Sequence, residues 1–242
     1  NASAGLRQPG TRVSHVFLAD IPAYPKLLAI SDAAVNIAPD LSAKAAILQH
    51  AIDLMASIGV DLPKAAILSA VETVNPLISS SLDAAALSVM SHRGQVRGAL
   101  VDGPLAFDNA ISLKAAEVKG IASPVAGDAD ILLVPDLVSG NILAKNLEYM
   151  ADATLAGLVL GLNAPIVLPS RADPVDARLA GLALARLSLA AKARKSAPQD
   201  KAPVWPVHAT RSSPMPEVDC CPPSDSTPTS PTSLNGGAHA EP

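Results

Sequence analysis

Apolar positions along this chain alternate between short, dense runs and longer, spaced stripes. The stretch "SHVFLADIPAYPKLLAISDAAVN" holds two apolar runs, His15 to Ile21 and Leu27 to Ser31, around a proline-bounded connection, which predicts a strand pair. In "PDLSAKAAILQHAIDLMASIG" the spacing changes to that of a helix. Leu41, Ala45, Leu48, Ile52 and Met55 share one stripe, with Asp40 or Ser42 placed to cap its start and Gly59 to stop it. The alternation continues with "KAAILSAV" as strand, "SLDAAALSVMSHRG" as helix, "VRGALVDG" as strand, "NAISLKAAEVKG" as helix and "ADILLVPD" as strand. A helix from about Asn141 to Met150 precedes two short strands around a turn, "AGLVLG" and "APIVLP". Val175, Leu179, Leu182 and Leu189 form a last helical stripe, from Pro174 to about Lys195, and Lys192, Arg194 and Lys195 at its end suit the helix dipole. Strands separated by helices need crossover connections, so the pattern predicts an α/β fold: a largely parallel or mixed sheet with flanking helices.

Composition divides the chain unevenly. Of its 242 residues, those from 14 to 195 are rich in Ala, Leu, Val and Ile, whereas 196–242 hold ten of the 22 prolines, many Ser and Thr, and one aromatic residue, Trp205. The first part can bury a core and the second cannot, so 196–242 is expected to be a disordered Pro/Ser/Thr-rich tail. Residues 1–13 are expected to be disordered too. The N-terminal "NASAGLRQPGTR" has no apolar signal-peptide core, and its "NAS" acceptor motif is read as chance. The eighteen residues from Ala153 to Ser170 carry no charge, close to membrane-spanning length, but Gly157, Gly161, Asn163, Pro165 and Pro169 interrupt them, and no membrane span is expected.

Charge narrows the partners. Eighteen Lys and Arg against 22 Asp and Glu leave no basic stripe, and aromatic side chains able to stack bases are scarce, so nucleic acid is not an expected partner. The two cysteines, Cys220 and Cys221, are adjacent and lie in the tail, which fits a reducing, cytoplasmic setting. The five histidines are scattered with no H-x-x-x-H pair, so no metal site is expected, and His92 reads as a helix-end residue. G-x-S-x-G, Walker A and G-x-G-x-x-G motifs are absent.

Ligands of open α/β sheets gather where strand ends meet helix starts. "VDGPLAFDNAIS" offers Asp102 and Gly103, then Asp108 and Asn109 at a helix start; "SPVAGDADILLVPDLVSGN" offers Asp136 and then Gly140 and Asn141. Each reads equally as a turn with a capping residue. A third place, "APIVLPSRADP", sets Ser170, Arg171 and Asp173 after an apolar run, where a guanidinium could fork onto a phosphate and a hydroxyl could orient a reacting group.

Taken together, "ISDAAVNIAPDL", "LSAVETVNP", "DGPLAFDNAIS", "SPVAGDADILLVPDLVSGNILAK" and "PSRAD" occur in an order that resembles the phosphate acetyltransferase and phosphate butyryltransferase family from about Ser14 to Arg194. The resemblance implies an isocitrate/isopropylmalate dehydrogenase-like phosphotransacetylase fold with an interdomain active site. It implies transfer of an acyl group between coenzyme A and inorganic phosphate by way of an acyl phosphate, with no cofactor beyond coenzyme A as substrate, and a homodimer. It also implies that 14–168 correspond to the second domain and 169–195 to the C-terminal return of an incomplete first domain, since nothing before Ser14 matches the family's N-terminal segment. Ser170 and Arg171 match the family's catalytic serine and phosphate-side arginine. Its proposed base, an aspartate seven residues past that serine, meets Ala177 here and leaves Asp176 as the candidate. Asp102, Gly103, Asp108, Asn109, Asp136, Gly140 and Asn141 are the expected substrate-binding residues. Two other readings are weighed against this one. A non-catalytic remnant would bind coenzyme A or dimerise without turnover. A metal-dependent hydroxyacid dehydrogenase of related fold would need clustered aspartates beside a nucleotide loop, and the matching segments are the transferases' instead.

Overall fold

A computed structural model of the chain describes residues 5, 6 and 10–195, without the last two side chains of that range. The expected tail, 196–242, lies outside the described residues. Seven strands, β1 (Ser14–Asp20), β2 (Leu28–Ser31), β3 (Lys64–Leu68), β4 (Leu100–Leu105), β5 (Ile131–Leu133), β6 (Thr154–Leu160) and β7 (Ile166–Val167), form one sheet in the order β4-β3-β5-β2-β1-β6-β7. β4, β3, β5 and β2 are mutually parallel, while β1 runs antiparallel to both β2 and β6, and β7 antiparallel to β6. The expected mixed α/β sheet is therefore present, and the uncharged run 153–170 folds as β6, a turn and β7. No helix among the described residues is long and apolar enough to cross a membrane.

Side chains alternate across the sheet and feed two cores. On one face Val16, Leu18, Ile67, Ile131, Leu133 and Leu158 pack under α1 (Leu41–Ser57), α2 (Ser79–His92) and α6 (Val175–Lys195). On the other, Phe17, Ile30, Leu68, Leu105, Leu132 and Leu155 meet the short α3 (Phe107–Ile111) and α4 (Leu113–Val118) and the longer α5 (Leu137–Met150). Asp40 caps α1 by accepting from Ala43 N at 2.7 Å, and Gly59 ends it at φ +100°, a conformation open to glycine.

Four expectations need correction. "NAISLKAAEVKG" is two helices, because Ser112 leaves helical geometry and its hydroxyl accepts from Ala115 N to start α4. α5 starts at Leu137 rather than near Asn141, so Gly140 and Asn141 lie inside the helix. Part of the N-terminal segment is ordered against the β6–β7 turn: Leu6 O accepts from Asn163 N at 2.8 Å, and Thr11 Oγ1 donates to Gly161 O at 3.1 Å. Finally, α6 turns the "wrong" stripe outward: Val175, Leu179, Leu182 and Leu189 are exposed, and Ala177, Gly181, Leu184, Ala185 and Ser188 are buried. Close approach explains the choice, since a Cβ on Gly181 would sit 2.7 Å from Val167 Cγ1. Through this face α6 packs on β6, β7 and α1, so residues 169–195 share one compact unit with 14–168.

Candidate functional site

The four parallel strands carry their following loops to one edge of the sheet, the carboxyl edge, where α1, α2, α3 and α5 begin. Glu72, in the loop after β3, accepts from Asn109 Nδ2 at 2.6 Å and pairs with Lys119, which also reaches Asp108 at 2.9 Å. Hydrogen bonding to Lys119 holds the Glu72 and Asp108 carboxyls below their usual range, and the same contacts raise the lysine. Asn109 is fully buried, and its Oδ1 has no partner among the described residues. Asp102 and Gly103 do not lie in the loop but within β4: Asp102 Oδ1 accepts from Gly103 N at 2.8 Å, and Gly103 lies so close to Ile67 that a Cβ would come within 2.8 Å of it.

Beside this cluster Asp136 caps α5, accepting from Ser139 N at 2.8 Å while Ser139 Oγ accepts from Asp136 N. Gly140 allows α5 to approach the β2 loop, since a Cβ would stand 3.0 Å from Asp32 O. Asn141 Nδ2 donates to Ala33 O at 3.4 Å. That loop is organised by buried Asp32, whose carboxylate accepts from the backbone N–H groups of His15, Ala34 and Val35 and from Asn36 Nδ2. The expected substrate-binding residues thus share one edge, but most are engaged in building it.

Ser170 and Arg171 lie elsewhere. Asp20 opposite Thr154 and Leu28 opposite Ala19 mark the sheet's other, amino edge, and β7 runs towards it with Ile166 opposite Val159 and Val167 opposite Leu158. Leu168 N still donates to Gly157 O at 3.1 Å, and the chain then leaves the sheet at that end. α6 climbs back, so that Lys192 Nζ reaches Leu162 O, past the carboxyl end of β6, at 3.5 Å. The sequence-based placement of this arginine beside the strand-end loops is corrected accordingly: an antiparallel return carries it to the opposite edge.

The loop itself is pinned. Buried Asp173 accepts from Ser170 N at 2.7 Å, Asp173 N donates to Ser170 O at 3.2 Å, and Arg178 donates to the carbonyls of Asp173 and Arg171. Asp173 is therefore committed to holding the loop. The Arg171 side chain is exposed and, among the described residues, makes no hydrogen bond or ion pair. Asp176 is exposed in the first turn of α6, whereas Ala177 is buried against the sheet at 5% exposure, a position with no room for a solvated carboxylate. A guanidinium with no partner among the described residues, a half-buried hydroxyl next to it in sequence and an exposed carboxylate five residues on are groups able, respectively, to bind an oxyanion, orient a carbonyl and accept a proton.

Glu72 and Lys119 escaped sequence reasoning. Lys119 sits in an ordinary helix-end "VKG", and nothing in spacing ties it to a glutamate 47 residues earlier. A cavity of about 470 Å³ between α1, α6 and Gly161, lined by Gln49, His50, Asp53 and Lys192, contains none of the expected site residues.

Comparison with known proteins places this geometry. A family model described as phosphate acetyl/butaryl transferase matches residues 5–185, a span that includes the Ser170 loop. A phosphate acetyltransferase of Rhizobium meliloti is 57% identical over 186 residues, covering 77% of this chain and 58% of the relative. A probable phosphate butyryltransferase of Bacillus subtilis is 49% identical over 185 residues, 76% of this chain and 62% of the relative. Among solved structures, a branched-chain phosphotransacylase from Enterococcus faecalis superposes with a TM-score of 0.71 at 34% identity, covering 78% of this chain and 67% of that one. The chain thus spans little more than half the length of the curated relatives it matches.

Proposed function

Because the chain belongs to the phosphate acetyl/butyryl transferase family, we propose that it carries the catalytic loop of an acyltransferase moving an acetyl or butyryl group between coenzyme A and inorganic phosphate. The supporting observation is Arg171, exposed and without a partner among the described residues, on a loop that Asp173 fixes, inside the matched span. In the direction of thioester formation, the coenzyme A thiol loses its proton and the thiolate attacks the carbonyl carbon of the acyl phosphate. A C–S bond forms, the C–O bond to phosphorus breaks, and inorganic phosphate departs with the electron pair. Free thiols have a pKa of about 8.5, so a nearby base raises the reactive fraction at neutral pH. Asp176 is the carboxylate assigned to that proton. Arg171 offsets the charge growing on the phosphate oxygens, and the Ser170 hydroxyl donates to the carbonyl oxygen as it becomes an oxyanion. The enzyme works in the cytoplasm as a homodimer in this reading.

A second reading is a non-catalytic remnant that binds coenzyme A without turnover. Purified chain mixed with acetyl or butyryl phosphate and coenzyme A separates the two by thioester absorbance. Thioester formation lost in Arg171→Ala supports the acyltransferase. Coenzyme A binding by calorimetry with no thioester overturns it in favour of the remnant.

A further inference from the structure

The cavity of about 470 Å³ between α1, α6 and Gly161 contains no residue assigned to acyl transfer, and its size falls within the roughly 300–1,000 Å³ of small-molecule sites. One of its walls carries an uncommitted cation. Lys192 forms no ion pair among the described residues, and its hydrogen bond to Leu162 O is 3.5 Å long, at the outer limit of such contacts. Ser188 lines the same cavity one turn earlier on α6; it is 5% exposed, and its hydroxyl has no hydrogen-bond partner among the described residues. Residues four apart share a helix face, so one headgroup can meet both side chains. On α1, His50 Nδ1 lies 2.8 Å from Ser14 Oγ, and burial holds its pKa below the usual value, so the ring is neutral at pH 7. Arg12 and Lys192 then stand against Asp53 alone, a net charge of one that a monoanion balances and a dianion overshoots. The rest of the wall includes Ala46, Leu54, Leu160 and Ala191, which offer an aliphatic chain a dry surface.

We propose that this cavity is a binding site for a medium-chain aliphatic carboxylate: the carboxylate pairs with Lys192 and accepts from Ser188 Oγ, and the chain lies against Leu54, Leu160 and Ala191. Both head contacts come from α6, and the chain is held between α6, α1 and the end of β6. The segment before β1 closes the side next to Gly161, where a Cβ would collide with Arg12 O. Arg171 lies at the opposite edge of the sheet, so the site does not rest on the acyltransferase reading.

The test reads binding without any turnover. Calorimetry of the purified chain at pH 7 should find octanoate bound more than about tenfold tighter than butyrate, since each buried CH₂ is worth about fourfold, with inorganic phosphate weaker than octanoate. Phosphate binding as tight as octanoate would make this a general oxyanion site and overturn the proposal, as would no binding of octanoate. In the wild-type chain, octanoate should shift the amide NMR signals of Gly161 and Ser188; shifts confined to other residues overturn it without recourse to any variant. Lys192→Met keeps the aliphatic stem, removes the charge and should weaken octanoate about tenfold or more, the worth of one hydrogen bond to a charged group. Ala191→Phe, which fills the cavity, should abolish binding, whereas Arg171→Ala should leave it unchanged. Octanoate affinity that survives both Lys192→Met and Ala191→Phe places the ligand elsewhere and overturns the proposal. No arm depends on thioester formation, so failure of the acyltransferase reading leaves the site standing.

Discussion

At the carboxyl edge, charged side chains close on one another; past β7, at the amino edge, an arginine stands with none among the described residues to answer it. Lys119 lies between Glu72 and Asp108, Asp136 caps α5, and Asp32 gathers backbone N–H groups. Each of these groups already has the partner that its charge demands, and a ligand would have to displace that partner before gaining anything. Around Ser170 the arrangement is reversed. Asp173 and Arg178 fix the backbone with their own polar atoms, leaving the Arg171 guanidinium and the Asp176 carboxylate facing solvent. A site that must bind an anion needs an uncommitted cation on a committed backbone, and of these two edges the amino edge supplies both.

The largest expected effect tests that contrast directly. Arg171→Ala should lower kcat for thioester formation by about 10²–10³-fold, the usual cost of removing a donor aimed at transition-state charge. Lys119→Ala should change it by no more than about threefold, since an exposed pair contributes little. Matched rate assays of both variants decide the matter: equal losses would break the division between the edges.

The two faces of α6 yield the next effect. Leu184→Ala, at 4% exposure, should cost about 3 kcal/mol of unfolding free energy, whereas Leu182→Ala, at 58%, should stay within about 0.5 kcal/mol. Urea titrations of both give the comparison, and a large cost at Leu182 would mean that the outer stripe is covered in solution. This helix also shows where the sequence was legible and where it was not. Its existence followed from the spacing of large apolar residues, as did α1, whose Leu48, Ile52 and Met55 are buried as that spacing predicts. Its inner face did not follow, because sheet contact selected small residues, and Gly181 and Ala177 carry no signal in a pattern built on leucine. The strand and helix alternation gave the layered α/β plan, yet the order β4-β3-β5-β2-β1-β6-β7 depends on pairings between distant segments that composition does not encode. The same limit hid where the candidate loop lies. "APIVLP" reads as a strand returning from a turn, but which edge it returns to is set by the direction of β6 relative to β3 and β5. Ser170 and Arg171 were legible as candidates and illegible as place.

Acid should separate a buried histidine from the exposed carboxylates more gently. His15 has a folded pKa of about 4 against an unfolded value of 6.5, so between those values the unfolded chain binds more protons and stability falls as pH falls. At pH 5 the loss from His15 should be about 2 kcal/mol relative to pH 7, measured by urea unfolding, and His15→Phe should remove that share of the slope, leaving the part due to His50, whose pKa burial also lowers. Glu72 and Asp108 act lower. Their folded pKa values lie below the ordinary 4.5 and 3.8, so what they contribute persists above those values and is lost only as pH drops through the folded ones. A slope between pH 5 and 7 unchanged in His15→Phe would overturn the assignment of that loss to His15.

The smallest effect is the most discriminating, because it compares two aspartates with the same local task. Asp136 accepts from Ser139 N at 2.8 Å on the carboxyl edge, and Asp173 accepts from Ser170 N at 2.7 Å past β7. Truncating either to alanine frees one backbone N–H that water can partly satisfy, so each should cost about 1 kcal/mol of stability. Their effects on rate should differ. Asp173→Ala lets the backbone beneath Ser170 and Arg171 sample other conformations, and kcat/KM should fall about fivefold, what 1 kcal/mol of lost positioning is worth. Asp173→Asn keeps an acceptor oxygen and should recover most of that loss, which rules out a lost charge as its cause. Asp136→Ala shortens the first turn of α5 and should leave kcat/KM within about twofold, a change within the spread of surface effects. If instead Asp136→Ala lowers kcat/KM as far as Asp173→Ala while the two lose equal stability, substrate must touch the carboxyl edge as well. The committed charges there would then be rearranging on binding rather than standing apart from it.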